Sequence, residues 1–249
     1  MSKGKPDFTK TPAFVEFVGL PGSGKTTLSH GTAVILREKN TTVIEPTYLI
    51  NNEMREIRRY LTKLWYSTKL VLLRPAWALK WFFLVVQSRQ KTVREFLLMI
   101  INCFFVLEIY RHHSRRNDIC FLDQGICQAF LSLSYNSKTE DFIRRQLDAV
   151  WGFLSPLDFR IFHVETDFDT VIQRLKKRHK RQSRLELTAD TTEFREILRS
   201  EKRKIEYLLE MLCTGRQANV VTIHRNDSAN IHSAARQIAD LFAYRELEK

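Results

Sequence analysis

The residues best suited to chemistry begin at Gly19. The stretch GLPGSGKTT, residues 19–27, fits G-x-x-x-x-G-K-[ST] with Gly19, Gly24, Lys25 and Thr26 in place. Glycines let a backbone curl until several N–H groups face one point, which suits phosphate oxygens. The helix that follows adds the positive end of its dipole. Lys25 is placed to reach β- and γ-phosphates, and the Thr26 hydroxyl to hold Mg²⁺. The whole loop (Gly19, Leu20, Pro21, Gly22, Ser23, Gly24, Lys25, Thr26 and Thr27) is therefore predicted to bind a nucleoside triphosphate, with ATP and Mg²⁺ as the cofactors.

Three further groups are candidates. Asp123 closes the apolar run Asp118–Asp123, where a carboxylate can bind Mg²⁺ directly or through water and so complete a metal site with Thr26. The alternative is an Asp opening a turn, with Gly125 as the turn residue. Glu45, before Pro46, ends a β-branched run; a carboxylate there can take a proton from an acceptor hydroxyl, or simply terminate a strand. The segment Gln173–Leu185 holds seven Lys/Arg and no acid. Arg174 and Arg178 share a helix face, and Arg184 lies just beyond. Their guanidinium groups suit the charge on a transferring phosphoryl group. A nucleic-acid patch or a solvated basic face are the rival readings, but no aromatic residue lies among these cations to stack on bases.

These residues need elements to position them. Ala13–Val18 is a β-favouring apolar run, and a helix is predicted over Thr26–Lys39. Thr41–Glu45 is predicted as a second strand, so strand, helix and strand within about thirty residues read as one βαβ unit and a parallel sheet. Further strands are predicted at Asp118–Asp123, Phe159–Val164 and Asn219–Ile223, with helices at Asp141–Phe153, Phe168–Arg178, Thr192–Cys213 and Ala229–Leu247. Between the second and third strands, residues 49–116 hold no strand pattern. They read as three helices, about 50–66, 68–88 and 90–115, with Pro75 bending or capping the second. The result is a single three-layer α/β domain over 1–249: a five-stranded parallel sheet, helices on both faces and a helical insertion at 49–116. Residues 1–11 read as a loose polar tail and 178–190 as a lid.

Bulk properties narrow the partners. Forty Lys+Arg against 28 Asp+Glu give a net charge of +12, which favours polyanionic ligands. The four cysteines show no C-x-x-C pair and no metal-ligand spacing; Cys103 and Cys120 sit in apolar runs, as a reducing, cytoplasmic setting permits. The longest uncharged run of the insertion, Phe96–Leu107, is twelve residues, shorter than the roughly twenty a bilayer span needs. Residues 64–110 mix apolar and basic residues and so suit an anionic membrane surface, but burial against the sheet is the favoured expectation.

The order of these features resembles the thymidylate kinase and deoxynucleoside kinase group of phosphate-loop kinases. GLPGSGKTT matches their first motif, and VIEPT, Val43–Thr47, resembles the Glu-Pro segment ending their second strand. MREIRRYL, Met54–Leu61, is similar to a thymidylate kinase helix. FLDQG, Phe121–Gly125, stands where an Asp-Arg or Glu-Arg-Ser motif belongs, and SPLDFRIFHVETDFDTVIQRLKKR, Ser155–Arg178, resembles a P-D-L strand leading to an arginine-bearing lid. NVVTIHRNDS, 219–228, is similar to the last strand and the loop near adenine. The resemblance implies an ATP-dependent kinase with a small-molecule acceptor, Glu45 as general base, and Lys25, Asp123, Arg174, Arg178 and Arg184 as catalytic residues. A homodimer is compatible with it. Gln124 departs from the pattern, since the family carries an arginine there that contacts substrate phosphate. An NTP-hydrolysing switch acting on a macromolecular or membrane-associated partner is the alternative.

Overall fold

The computed structural model describes residues 14–114, 118–134, 140–155, 157–177, 194–216, 219–224 and 231–243. At its centre lies β1 (Phe14–Val18), all five of whose residues are buried. It pairs in parallel with β3 (Ile119–Leu122) on one side and β4 (Phe159–Glu165) on the other. The short β2 (Val43–Ile44) extends the sheet beside β3, and β5 (Asn219–His224) beside β4. The strand order is β2-β3-β1-β4-β5. Order reverses between β3, β1 and β4, which opens a crevice at the carboxyl ends of those strands. The phosphate loop follows β1 directly into that crevice. A buried central strand explains why Phe14–Val18 is apolar on both faces apart from Glu16.

Two apolar layers hold the sheet. On one face, Val15 and Phe17 pack with Leu28 and Leu36 of α1 (Lys25–Glu38) and Ile238 and Phe242 of α10 (Ile231–Ala243). On the other, Phe14 and Val18 pack with α5 (Val93–His113), α6 (Ile126–Ser134) and α7 (Glu140–Leu154). Each fully buried side chain of this size contributes about 1.5–3 kcal/mol. Phe14 contributes further through Tyr110, whose ring centroid is 4.6 Å away. The remaining helices of the sheet's flanks are α8 (Phe168–Lys177) and α9 (Phe194–Arg216).

Among the described residues between β2 and β3 the only regular structure is helical, but its breaks differ from expectation. Glu45 is not the last residue of β2; it caps a short turn, α2 (Pro46–Tyr48), that runs into a π-helical turn at Leu49–Glu53. The first long helix is α3 (Glu56–Leu73), and the next, α4 (Pro75–Gln87), starts at Pro75. Pro75 thus opens a helix instead of bending one. Its missing N–H would have been unsatisfied at that position anyway, and its ring disfavours helical geometry at Arg74. The chain turns by 119° across the break. Burial also divides unevenly. The second half of α5 is buried from Cys103 to Tyr110, whereas α3 and α4 carry large apolar side chains on their outer faces. The expected burial of residues 64–110 therefore holds for the second half of α5 and fails for those outer faces and for Leu97 near the start of α5.

Candidate functional site

The loop between β1 and α1 has the shape its glycines permit. Gly22 and Gly24 adopt φ of 85° and 91°, in the left-handed region that costs other residues about 1 kcal/mol or more. Gly24 caps α1 and its carbonyl accepts from Leu28 N at 2.9 Å. Lys25, at the first turn of α1, donates back to the carbonyls of Gly19 and Leu20 at 2.8 and 2.9 Å. The ammonium is therefore folded over its own loop, held by neutral carbonyls that phosphate oxygens outcompete. Arg174 of α8 reaches the same loop from the other side. Its Nη1 lies 3.4 Å from the Gly22 and Ser23 carbonyls, and Thr166 Oγ1 donates to Ser23 O at 3.0 Å.

Asp123 follows β3, so the sheet places it beside the start of α1. Thr26 Oγ1 donates to Asp123 Oδ2 at 2.9 Å. The other oxygen, Oδ1, is buried without a hydrogen-bonding partner among the described residues. A hydroxyl and a carboxylate with one open buried oxygen form a hard-oxygen set, the kind Mg²⁺ takes alongside phosphate oxygens. The residues present thus fit that ion.

A cavity of about 310 Å³ opens over this pair. One end is lined by the loop residues Pro21, Gly22 and Gly24 to Thr27. Its far wall comes from Lys63 of α3, Asn102, Phe105 and Val106 of α5, and Gln128, Ala129 and Ser132 of α6. Lys63 donates to Asn102 Oδ1 at 3.1 Å. Burial pushes the Lys63 ammonium down to about 8; Arg59 adds to this and Asp123 opposes it. Gln124 also lines the cavity, and its Oε1 accepts from Asn51 at 3.4 Å. Lys63, Asn102 and Gln128 were invisible as site residues in the sequence. They belong to helices whose packing brings them together, and the only available signal was a lysine four residues before Ser67, on the side of α3 that turns toward α5.

Behind the cavity sits a carboxylate that spacing did not flag. Glu16 of β1 is fully buried and accepts from the backbone N–H groups of Cys127 and Gln128 at 3.0 and 2.8 Å. Tyr110 Oη stands 3.4 Å away. Burial raises the Glu16 carboxyl to about 7, and these hydrogen bonds lower it only in part. A side chain at Gly125 would place its first carbon 2.5 Å from the Glu16 carboxyl. Gly125 is thus glycine because Glu16 fills the space.

Glu45 does not line the cavity. Its carboxylate is buried and paired with Arg37 Nη1 at 2.9 Å, and His30 Nδ1 lies 3.2 Å from it. Burial nevertheless raises its pKa, against the pull of His30 and Arg37. The structure therefore unites Lys25, Thr26, Asp123 and Arg174 at one loop and sets Glu45 apart. Arg178 and Arg184 lie outside the described residues.

A glycine-rich loop on a parallel sheet of this order, with an acid at the end of the neighbouring strand, is a fold similar to that of P-loop nucleoside and nucleotide kinases. Solved structures agree. A deoxyadenosine kinase from M. mycoides with bound dATP superposes with a TM-score of 0.51 at 16% identity, covering 91% of this chain and 99% of that one. The same kinase with its products bound gives 0.53 at 13% identity, covering 93% and 99%. Thymidylate kinase from Candida albicans gives 0.51 at 14% identity, covering 96% and 94%. Identities this low show the fold alone. No protein-family model matches the sequence, and no curated protein matches it.

Proposed function

We propose that this chain is an ATP-dependent phosphotransferase that moves the γ-phosphoryl group of ATP to a small-molecule acceptor held in the cavity over Asp123. The Thr26–Asp123 hydrogen bond carries this reading, because it joins the phosphate loop to the strand-end acid at the mouth of a cavity large enough for an acceptor. Mg²⁺ held by Thr26 and Asp123 would neutralise charge on the phosphates. Lys25 leaves the Gly19 and Leu20 carbonyls for phosphate oxygens. Arg174, already resting on the loop, is proposed as the described part of a lid that Arg178 and Arg184 complete.

The acceptor end takes its character from Lys63. A partly desolvated ammonium beside Asn102 and Gln128 suits an anionic or hydroxyl-rich acceptor, with Phe105 and Val106 offering an apolar side. Lys63 is proposed to supply the cation that Gln124 does not. The kinases to which this fold is similar act on deoxynucleosides and thymidylate, so nucleosides and nucleotides come first among candidates. Glu45 could act as base only after giving up its pair with Arg37.

The test is transfer of labelled γ-phosphoryl from ATP across panels of nucleosides, nucleotides and sugar derivatives, with Lys25→Ala as control. A phosphorylated product that disappears in the control is expected. Phosphate release that ignores every acceptor would instead identify an NTP-hydrolysing switch.

A further inference from the structure

Helix α3 is amphipathic with its apolar stripe facing outward. Ile57, Leu61, Leu64, Trp65 and Leu72 fall at helical spacing and are all exposed, Ile57 by 77% and Leu72 by 75%. The side turned to α5 carries Lys63 and Ser67, and Ser67 donates to the Lys63 and Ile101 carbonyls. Helix α4 repeats the pattern, with Leu79, Phe82, Phe83 and Val86 exposed at i, i+3, i+4 and i+7. At the corner between them every residue from Val71 to Trp77 is exposed. Fifteen of the seventeen large apolar side chains exposed among the described residues lie between Ile57 and Leu97. Patches of this kind are rarely left to water and mark an interaction face.

Charge says what covers it. From Ile57 to Arg94 the sequence holds nine Lys or Arg and no Asp or Glu. A second copy docked symmetrically would set this basic face against itself, the arrangement in which like charges repel. An anionic bilayer surface complements it on both counts. Apolar side chains enter the headgroup boundary while lysines and arginines hold phosphates above them. The side chains are already arranged so: Lys69 Nζ lies 5.2 Å from the Trp65 ring centroid, and the Arg74 guanidinium 5.5 Å from that of Trp77. No single described helix is long and apolar enough to cross a membrane; α3 and α4 reach that length and composition only together, across their 119° bend. We propose that the outer faces of α3 and α4, led by the apolar corner at 71–77, dock this protein peripherally on anionic lipid membranes.

Co-sedimentation with vesicles tests this without reference to the phosphotransferase reading. Wild-type protein is expected to bind vesicles of phosphatidylcholine containing about one third phosphatidylserine, and to bind pure phosphatidylcholine at least tenfold more weakly. Raising salt from about 0.1 M to about 1 M should weaken the former. Combined Leu72→Ser, Leu73→Ser and Phe83→Ser should cut binding at least tenfold, as should combined Lys69→Glu and Arg74→Glu. The melting temperature checks that the variants fold, and quenching of wild-type tryptophan fluorescence by brominated lipid provides a readout that needs no variant. Absence of wild-type binding and quenching, or equal binding to neutral vesicles, overturns the proposal. So does a stable dimer in light scattering that the serine variants dissolve.

Discussion

Thr26 and Asp123 stand 97 residues apart in the chain and 2.9 Å apart in the fold. Neither side chain is large enough to stabilise the domain much; a hydrogen bond to a charged group contributes about 1.5–3 kcal/mol. What the contact does is tie the phosphate loop to the strand-end acid while leaving Asp123 Oδ1 open. Asp123→Asn keeps the shape and removes the charge. It is expected to lower the phosphoryl-transfer rate at least tenfold, about 1.4 kcal/mol in the barrier, and to raise the Mg²⁺ concentration needed for half-maximal rate. A magnesium titration that matches wild type would reduce Asp123 to a turn residue.

Lys25→Ala should abolish transfer with the fold intact. The ammonium donates to the carbonyls of its own loop and lies outside the apolar core, so its removal leaves the core packing in place. Equal activity in a variant with matched circular dichroism would remove the phosphate loop from the proposed chemistry.

Glu45→Gln separates two roles. The carboxylate is buried against Arg37 and His30, so its neutral replacement should lower the melting temperature and change kcat by no more than a few-fold. A hundredfold fall in kcat with unchanged melting would instead make Glu45 the base.

How far the sequence could be read depended on how local each signal was. The turn of the glycine-rich loop and the place of Asp123 at a strand end were legible because each rests on a few adjacent residues. Arg174 was placed by its spacing, and the structure brings it to the loop. Lys63 and Glu16 were not legible. The first reaches the cavity through α3 packing on α5, and the second is held by a helix start more than a hundred residues away. Apolar periodicity was also blind to direction. Ile57, Leu61, Leu64 and Leu72 repeat as a core stripe would, yet the stripe faces out. Pro75 was ambiguous for a simpler reason, since a proline bends a helix or begins one according to whether the preceding residue leaves helical geometry, as Arg74 does.

Acceptor binding should depend on pH through Lys63. Because burial lowers its pKa to about 8, the ammonium is charged at pH 7 and largely neutral by pH 9. KM for an anionic acceptor should therefore rise across that interval in wild type and stay flatter in Lys63→Arg, whose guanidinium remains charged. Parallel profiles for the two proteins would exclude Lys63 from acceptor binding.

Stability should fall with pH through Glu16. Its folded pKa is raised to about 7 from 4.5, so between those values the folded protein holds a proton the unfolded chain has released. Stability is therefore unpenalised below about 4.5 and declines as pH rises to 7, by about 3 kcal/mol in all. Glu16→Gln cannot titrate and should show a flatter dependence of melting temperature on pH over that range. Equal slopes would mean that Glu16 is charged in the fold at both ends.

The contact between Glu16 and Gly125 also limits how this scaffold can be redesigned. Loop grafting normally treats the segment after a strand as replaceable and the strand as fixed. Here the first carbon of any side chain at 125 would lie 2.5 Å from a strand carboxyl. A donor loop brought in to change acceptor preference must therefore carry glycine at its third position after Asp123 is counted as the first, or arrive together with a smaller residue at 16. Libraries that randomise 124 and 128 while leaving 16 and 125 as a matched pair should retain many folded members, whereas the folded members of a library randomised at 125 alone should be those that keep glycine.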